Sequence, residues 1–271
     1  MKKLKKIVTL FFEKAGFEHK NVGKKCRQEV KKKAIRYENL CKKLGLIQEL
    51  RIFEMLSNEV YRNTMSSDGQ DIIALKASDF KRGGYFVEIG VLDGIHKSNC
   101  YLLEKMYEWQ GVLIEANPIW YQDIEKNRSS VLVKKGVYSK TSKMKMIMTD
   151  NEAAALTDSI QDDGISRNGG EIEVFVDTLT NIMADANSPK EIDYLSMDIE
   201  GAEFEAIKSI DWDSYRIHFV TIEHNFTKQK DLILEFMEAK GYTAILPDFS
   251  RNEFWFVQKD SCFLNEGVDE S

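Results

Sequence analysis

The 271-residue sequence has only three prolines and four cysteines, and each scarcity removes a class of protein. So few prolines exclude a collagen-like chain and a proline-rich linker. Cys26, Cys41, Cys100 and Cys262 are far apart and make no C-x-x-C pair, so neither a disulfide framework nor a zinc site is expected, and a reducing compartment fits. No apolar run approaches the roughly 18 residues of a spanning helix. The apolar stretch 7–12 is cut by Glu13, short for a signal peptide. A cytoplasmic protein is expected. The glycines include no G-x-x-x-x-G-K-[ST] phosphate loop and no G-x-G-x-x-G dinucleotide fingerprint.

What is present is unevenly charged. The net charge of −6 splits into +11 over residues 1–51 and −17 over the other 220. This predicts a basic segment, bounded at residues 1–65, on an acidic domain over residues 66–271. The basic segment is proline-free, and Leu4, Ile7, Val8, Phe11 and Phe12 recur at helical spacing. Two readings compete for these helices. One is peripheral contact with an anionic membrane on its inner face. The other, which is favoured because solvated lysine faces are common, is packing on the main domain or on a second subunit of a homo-oligomer. Nucleic acid is not expected as a partner, since no recognition motif accompanies the charges.

From residue 66 onward, short apolar strands alternate with helices. Strands are predicted at 85–89, 111–115, 131–133, 144–148, 173–176, 192–197 and 217–222, with an antiparallel pair at 242–246 and 253–258. Helices are predicted at 98–109, from Pro118, and at 178–186, 202–209 and 227–240, the last stopped by Gly241. Residues 158–170 read as a polar loop. The alternation predicts an α/β fold, with a parallel sheet covered by helices on both faces. Ligands of such sheets bind at the carboxyl ends of the strands. Here those ends are acidic: Glu88 with Gly90, Asp93 and Gly94; Glu115 with Asn117; Asp198 with Glu200; and Glu223, His224 and Asn225.

An acid about 20 residues past a glycine loop can hold two ribose hydroxyls, and Glu115 is so placed. Acids along the rim would repel a pyrophosphate but suit a cation. Together these features point to S-adenosylmethionine, which carries a sulfonium and no phosphate. An alcohol acceptor needs a base or a metal to activate it. His224 has a suitable unperturbed pKa. Alternatively, Asp198 and Glu223 could hold Mg²⁺ or Mn²⁺. His96, Arg251 and Asp248 are candidate acceptor contacts, and Arg167 is a further one in the polar loop. The competing classes are a nicotinamide-dependent oxidoreductase and a catalytically silent scaffold.

The stretch 66–257 resembles the FkbM family of S-adenosylmethionine-dependent methyltransferases. The resemblance rests on SSDGQD (66–71), YFVEIGVLDG (85–94), SNCYLLEK (98–105), GVLIEANP (111–118), EIDYLSMDIEGAE (191–203), VTIEHN (220–225) and PDFSRNEFWFV (247–257). It implies a seven-stranded Rossmann-like class I methyltransferase sheet with one antiparallel strand. It also implies O-methylation of a sugar hydroxyl, as in bacterial surface polysaccharide or lipopolysaccharide biosynthesis, on a nucleotide-linked or glycolipid carrier. Carried onto this sequence, the resemblance assigns Glu88, Gly90, Asp93 and Gly94 to the cofactor loop and Glu115 to the ribose. Asn117 falls on the adenine side, and Gln70 and Asp71 near the methionine end. Asp198, Glu200, Glu223 and His224 make the catalytic face. Val91 and Leu92 stand where Ala and Asn are expected. The acids after the fourth and fifth core strands also look like catechol O-methyltransferase, which would add Asn225 to a metal set with Asp198 and Glu223.

Overall fold

The computed structural model describes residues 64–151, 153–160 and 165–261. The readings of the basic segment up to residue 63, and of Cys262, lie outside them. In chain order the first elements are α1 (Gln70–Ala77), β1 (Tyr85–Ile89), α2 (Tyr101–Tyr107), β2 (Gln110–Ile114), α3 (Tyr121–Asn127), β3 (Val131–Val133), β4 (Gly136–Val137), β5 (Ser142–Met148) and β6 (Ala155–Leu156). There follow β7 (Gly170–Asp177), α4 (Leu179–Asp185), β8 (Glu191–Met197), α5 (Glu203–Lys208), β9 (Arg216–Glu223), α6 (Gln229–Ala239), β10 (Tyr242–Ile245), α7 (Pro247–Ser250) and β11 (Glu253–Gln258).

Seven strands form one sheet in the order β10-β11-β9-β8-β1-β2-β3. Its pairs are parallel except those of β11, which runs antiparallel to both β9 and β10. The sheet is therefore mixed, with the single reversed strand expected near the C-terminus. Alternate side chains of a strand point to opposite faces, and both faces are covered. Phe86 of β1 packs in one cluster with Ile73, Leu102 and Ile124 from α1–α3. Its neighbour Val87 packs in another with Ile182, Ala206 and Ile233 from α4–α6. Burial on both sides explains why these strands read as continuous apolar runs rather than alternating ones.

Arg128, just past α3, crosses into the first cluster with its side chain fully buried. It lies 3.1 Å from Glu88 and 2.9 Å from Glu104. Removing one member of such a buried set costs about 3–5 kcal/mol. Those acids hold β1, α2 and the end of α3 in one arrangement.

Strands β4-β7-β5-β6 form a second, four-stranded sheet. The expected strands at 144–148 and 173–176 belong to it and are longer than the sequence suggested, while β4 and β6, two residues each, were not foreseen. One face carries the ion pairs Lys143–Glu173 and Lys145–Glu171. The other packs Met144, Met146, Leu156, Val174 and Val176 against Ala202 and Ala116, which places this sheet beside the carboxyl edge of the larger one. Helix α1 was also missed: residues Gln70 to Leu75 are buried in succession, leaving no amphipathic stripe to read.

Candidate functional site

The carboxyl ends of β1, β2, β3 and β8 open onto a cleft. Gly90 and Leu92 line it after β1, Glu115 and Ala116 after β2, and Asp198 to Glu200 with Ala202 after β8. Met146, Ala155 and Leu156 of the second sheet form the facing wall. Gly90 sits at φ +80°, and a Cβ there would lie 1.8 Å from the Asp198 carbonyl oxygen. Only glycine lets the first and fourth core strand ends approach this closely.

Glu115 is buried in the cleft wall. Its Oε2 accepts the N–H groups of Val91 (2.9 Å) and Leu92 (3.1 Å), and its Oε1 accepts that of Asn117 (2.8 Å). Burial pushes its carboxyl upward, and these N–H donors pull it back. The acid thus ties the loop after β1 to the end of β2 while facing the ligand space. Glu88 also reaches the cleft, but its carboxylate accepts from Ser98 Oγ (2.9 Å), the Asn99 N–H (2.7 Å) and Arg128. Its work is to shape the segment 98–100.

Several expected cofactor residues stand back from the cleft. Asp93 Oδ1 accepts the N–H groups of Ile95 (2.8 Å) and His96 (2.6 Å), making the turn, and Gly94 passes against Arg128. His96 itself lines the cleft. Asn117, expected on the adenine side, stands outside the cleft lining. The residue is 0% exposed, its amide donates to the Thr149 carbonyl (2.9 Å), and its oxygen accepts the Ile119 N–H (3.2 Å). It caps the turn Pro118–Trp120 and closes the wall from behind. Gln70 and Asp71 are buried outside the cleft lining. Gln70 Nε2 donates to Glu253 Oε1 (2.6 Å), and Asp71 Oδ1 accepts from Ser66 Oγ (2.6 Å).

The expected catalytic face is an acid cluster. Oxygen atoms of Asp198, Glu200 and Glu223 lie within 4.8 Å of one another. Asp198 is exposed at the cleft, whereas the Glu223 carboxyl is mostly buried. Desolvation, then the charge of Asp198 and its hydrogen bond, then the charge of Glu200, push the Glu223 carboxyl upward. Glu200 has a left-handed backbone (φ +57°), and its Oε2 lies 3.2 Å from Arg167 Nη2 in a buried ion pair. Arg167 Nε also donates to the Ala153 carbonyl (2.9 Å), fastening the end of the polar loop to the cleft wall.

Asn225 Oδ1 accepts from Asn252 Nδ2 (3.0 Å), the same amide that donates to Glu223 (2.8 Å), and Glu200 joins Asp198 and Glu223 in the acid cluster. His224 does not line the cleft. It is 4% exposed, its Nδ1 accepts the Phe226 N–H (3.1 Å), and its ring lies between Phe226 and Phe254. Burial, then the charge of Lys230, lowers its pKa to about 4. A ring so engaged is badly placed to take a substrate proton. Asp248 and Arg251 are exposed on and after α7, away from the cleft lining, with Arg251 Nη1 3.3 Å from Asp68.

Asn252 is the residue that sequence reasoning missed. Its carbonyl accepts the N–H groups of His224 (2.8 Å) and Asn225 (3.0 Å), and its amide donates to Glu223 (2.8 Å). The only sequence signal was its place in the turn before β11.

The cleft fits S-adenosylmethionine by its donor set. The acid Glu115 stands beside an apolar slot of Ile114, Ala116, Val137 and Leu156, and Asp198 and Glu200 lie beyond. That provides for a ribose, a flat base and a positive centre. Among the described residues no helix is long and apolar enough to cross a membrane.

Comparison with known proteins agrees on the family. No curated protein matches the sequence. Among solved structures, the chain is similar to the precorrin-6y C5,15-methyltransferase of Geobacter metallireducens GS-15, at 11% identity and a TM-score of 0.40, over 74% of this chain and 87% of that one. The methyltransferase FkbM domain matches residues 88–244, from the acid in β1 to strand β10. With more than half of its length so matched, the chain belongs to the FkbM methyltransferase family.

Proposed function

We propose that this methyltransferase acts on oxygen, methylating a sugar hydroxyl, with Asp198 as the proton acceptor. The observation that carries the reading is the gathering of the Asp198, Glu200 and Glu223 carboxylates within 4.8 Å of one another, with Asp198 exposed at the cleft and Glu223 half-buried at the adjacent strand end. S-adenosylmethionine supplies an electrophilic methyl group on a sulfonium. Glu115 would hold its ribose, and the wall of Ile114, Val137 and Leu156 its adenine. At the other end, Asp198 accepts the acceptor's hydroxyl proton. Glu223 hydrogen-bonds to Asp198 rather than repelling it, and the Arg167 guanidinium offsets the Glu200 carboxylate. Nucleophile and methyl carbon meet with loss of charge, which a desolvated cleft favours. Positioning supplies much of the remaining rate.

The sugar acceptor, on a nucleotide or lipid carrier in surface polysaccharide synthesis, follows from the resemblance of the seven sequence segments. Family membership sets the nicotinamide reading aside. A second reading keeps the metal: three carboxylates within 4.8 Å are a hard-oxygen set that suits Mg²⁺ or Mn²⁺. Against it, Glu200 is already neutralised by Arg167 and Glu223 by its proton.

Calorimetric titration with S-adenosylhomocysteine, with and without Mg²⁺, followed by methyl transfer to a panel of glycosides, tests both readings. Binding and transfer indifferent to Mg²⁺ support Asp198 as base. Transfer that requires Mg²⁺ supports the metal. Absence of binding by folded protein favours the silent scaffold.

A further inference from the structure

Residues His224 to Thr227 close a tight turn at the end of β9, with the Thr227 N–H donating to the His224 carbonyl at 2.8 Å. Both central residues are left-handed, Asn225 at φ +43° and Phe226 at φ +56°. A two-residue turn of this kind takes asparagine at its first centre and glycine at its second. Here a phenylalanine occupies the glycine place. A bulky side chain at positive φ is a genuine outlier. The ring is also 68% exposed, among the most exposed large apolar side chains described. The protein thus bears backbone strain and unburied apolar surface at one position.

The surroundings hold this ring in place. Phe256, Phe254, His224 and Phe226 form a row from the core to the surface, with successive ring centres 5.3, 4.6 and 5.1 Å apart. Phe256 is fully buried, and Phe226 is the outer end. His224 Nδ1 accepts the Phe226 N–H, fixing the strained residue from behind. Lys230 Nζ lies 5.4 Å from the ring centre. Asn252 anchors the same turn and Glu223 together.

We infer that Phe226 is a stacking platform for the acceptor, reading the apolar C–H face of a sugar ring on the rim three residues beyond Glu223. Phe226 follows β9 on the carboxyl edge of the sheet, and strain concentrated at an exposed residue there points to a role beyond packing. An aromatic face packs against axial C–H groups while leaving the sugar's hydroxyls directed toward the acids. His224 is then a positioning residue for Phe226. The inference rests on the proposed sugar acceptor.

The test uses the full chain with methyl glycosides and UDP-linked sugars as acceptors, and compares F226G, F226L and F226W. F226G, which relieves the backbone, should melt no lower than wild type and bind S-adenosylhomocysteine unchanged. Its KM for the best acceptor should rise about five- to tenfold with kcat within about twofold. F226L, which keeps apolar bulk without an aromatic face, should share that rise, and F226W should restore the wild-type KM. An unchanged KM in F226G and F226L overturns the platform while leaving the sugar reading intact, as does an F226W no better than F226L. A wild type that binds S-adenosylhomocysteine but methylates none of these sugars overturns the sugar reading and the platform with it.

Discussion

The missing Cβ of Gly90 leaves room for the carbonyl oxygen of Asp198, which would otherwise lie 1.8 Å from it. The loop after β1 and Asp198 after β8 are therefore set by one close contact. Gly90→Ala should displace Asp198 and strain a left-handed backbone at once, costing about 1–3 kcal/mol. Thermal unfolding and S-adenosylhomocysteine titration should both record the loss. A variant of wild-type Tm and affinity would show that the loop yields freely.

Glu223→Gln replaces a carboxyl that is already protonated at neutral pH by a neutral group of the same shape. Desolvation, followed by the charge of Asp198, keeps that proton on. The variant should fold as stably as wild type or more so and keep most of its turnover, because the amide can still donate a hydrogen bond to Asp198; a turnover lost with folding intact would show that the Glu223 proton itself takes part. Asp198→Asn should abolish turnover while leaving cofactor affinity close to wild type.

Stability should fall as pH rises from about 6.5 to 8.5. Burial raises Glu203 to about 7 and Glu253 to about 8, and Glu223 also lies high. These acids keep protons in the native state that the unfolded chain has released, so the native state binds more protons and loses stability as pH climbs. His224, lowered to about 4, is neutral in both states above its ordinary value and contributes to the slope only at lower pH. A Tm series without ligand measures the slope, and a rising Tm over this window would show those carboxyls ionised in the fold.

Arg167→Met should leave Glu200 buried without its partner, at a cost of about 3–5 kcal/mol for a pair this enclosed. The double variant with Glu200→Gln should recover much of the loss, because the orphaned charge is gone. Simple addition of the two single effects would argue that Arg167 acts through Ala153 instead.

Turnover should survive treatment with EDTA, since a proton on Glu223 and a guanidinium on Glu200 already balance the cluster. Activity lost to EDTA and regained with Mg²⁺ would move the mechanism to a metal.

Much of the larger sheet was legible because fully buried parallel strands must be apolar throughout; β1 and β3 fall where the sequence placed them. The second sheet was harder. β4 and β6 are two residues long, too short to carry a period, and they form only where longer partners hold them. In the site, strand ends told where to look but not which way side chains turn. Asn117 and His224 sit at such ends and are drawn inward by backbone N–H groups of Ile119 and Phe226. Glu200 reached the acid cluster through a left-handed residue that no spacing rule anticipates. Asn252 was invisible because its partners lie 27 and 29 residues away in sequence.

The residues lining the cleft all precede residue 203, whereas the amide that fixes Glu223 and the turn carrying Phe226 comes from Asn252. During synthesis the ribosome therefore releases the methyl-donor half of the site long before the half that receives the acceptor. The inserted strand β11 acts as a closing stitch, so a nascent or clipped chain ending short of it carries every cleft residue but leaves its substrate rim unfastened.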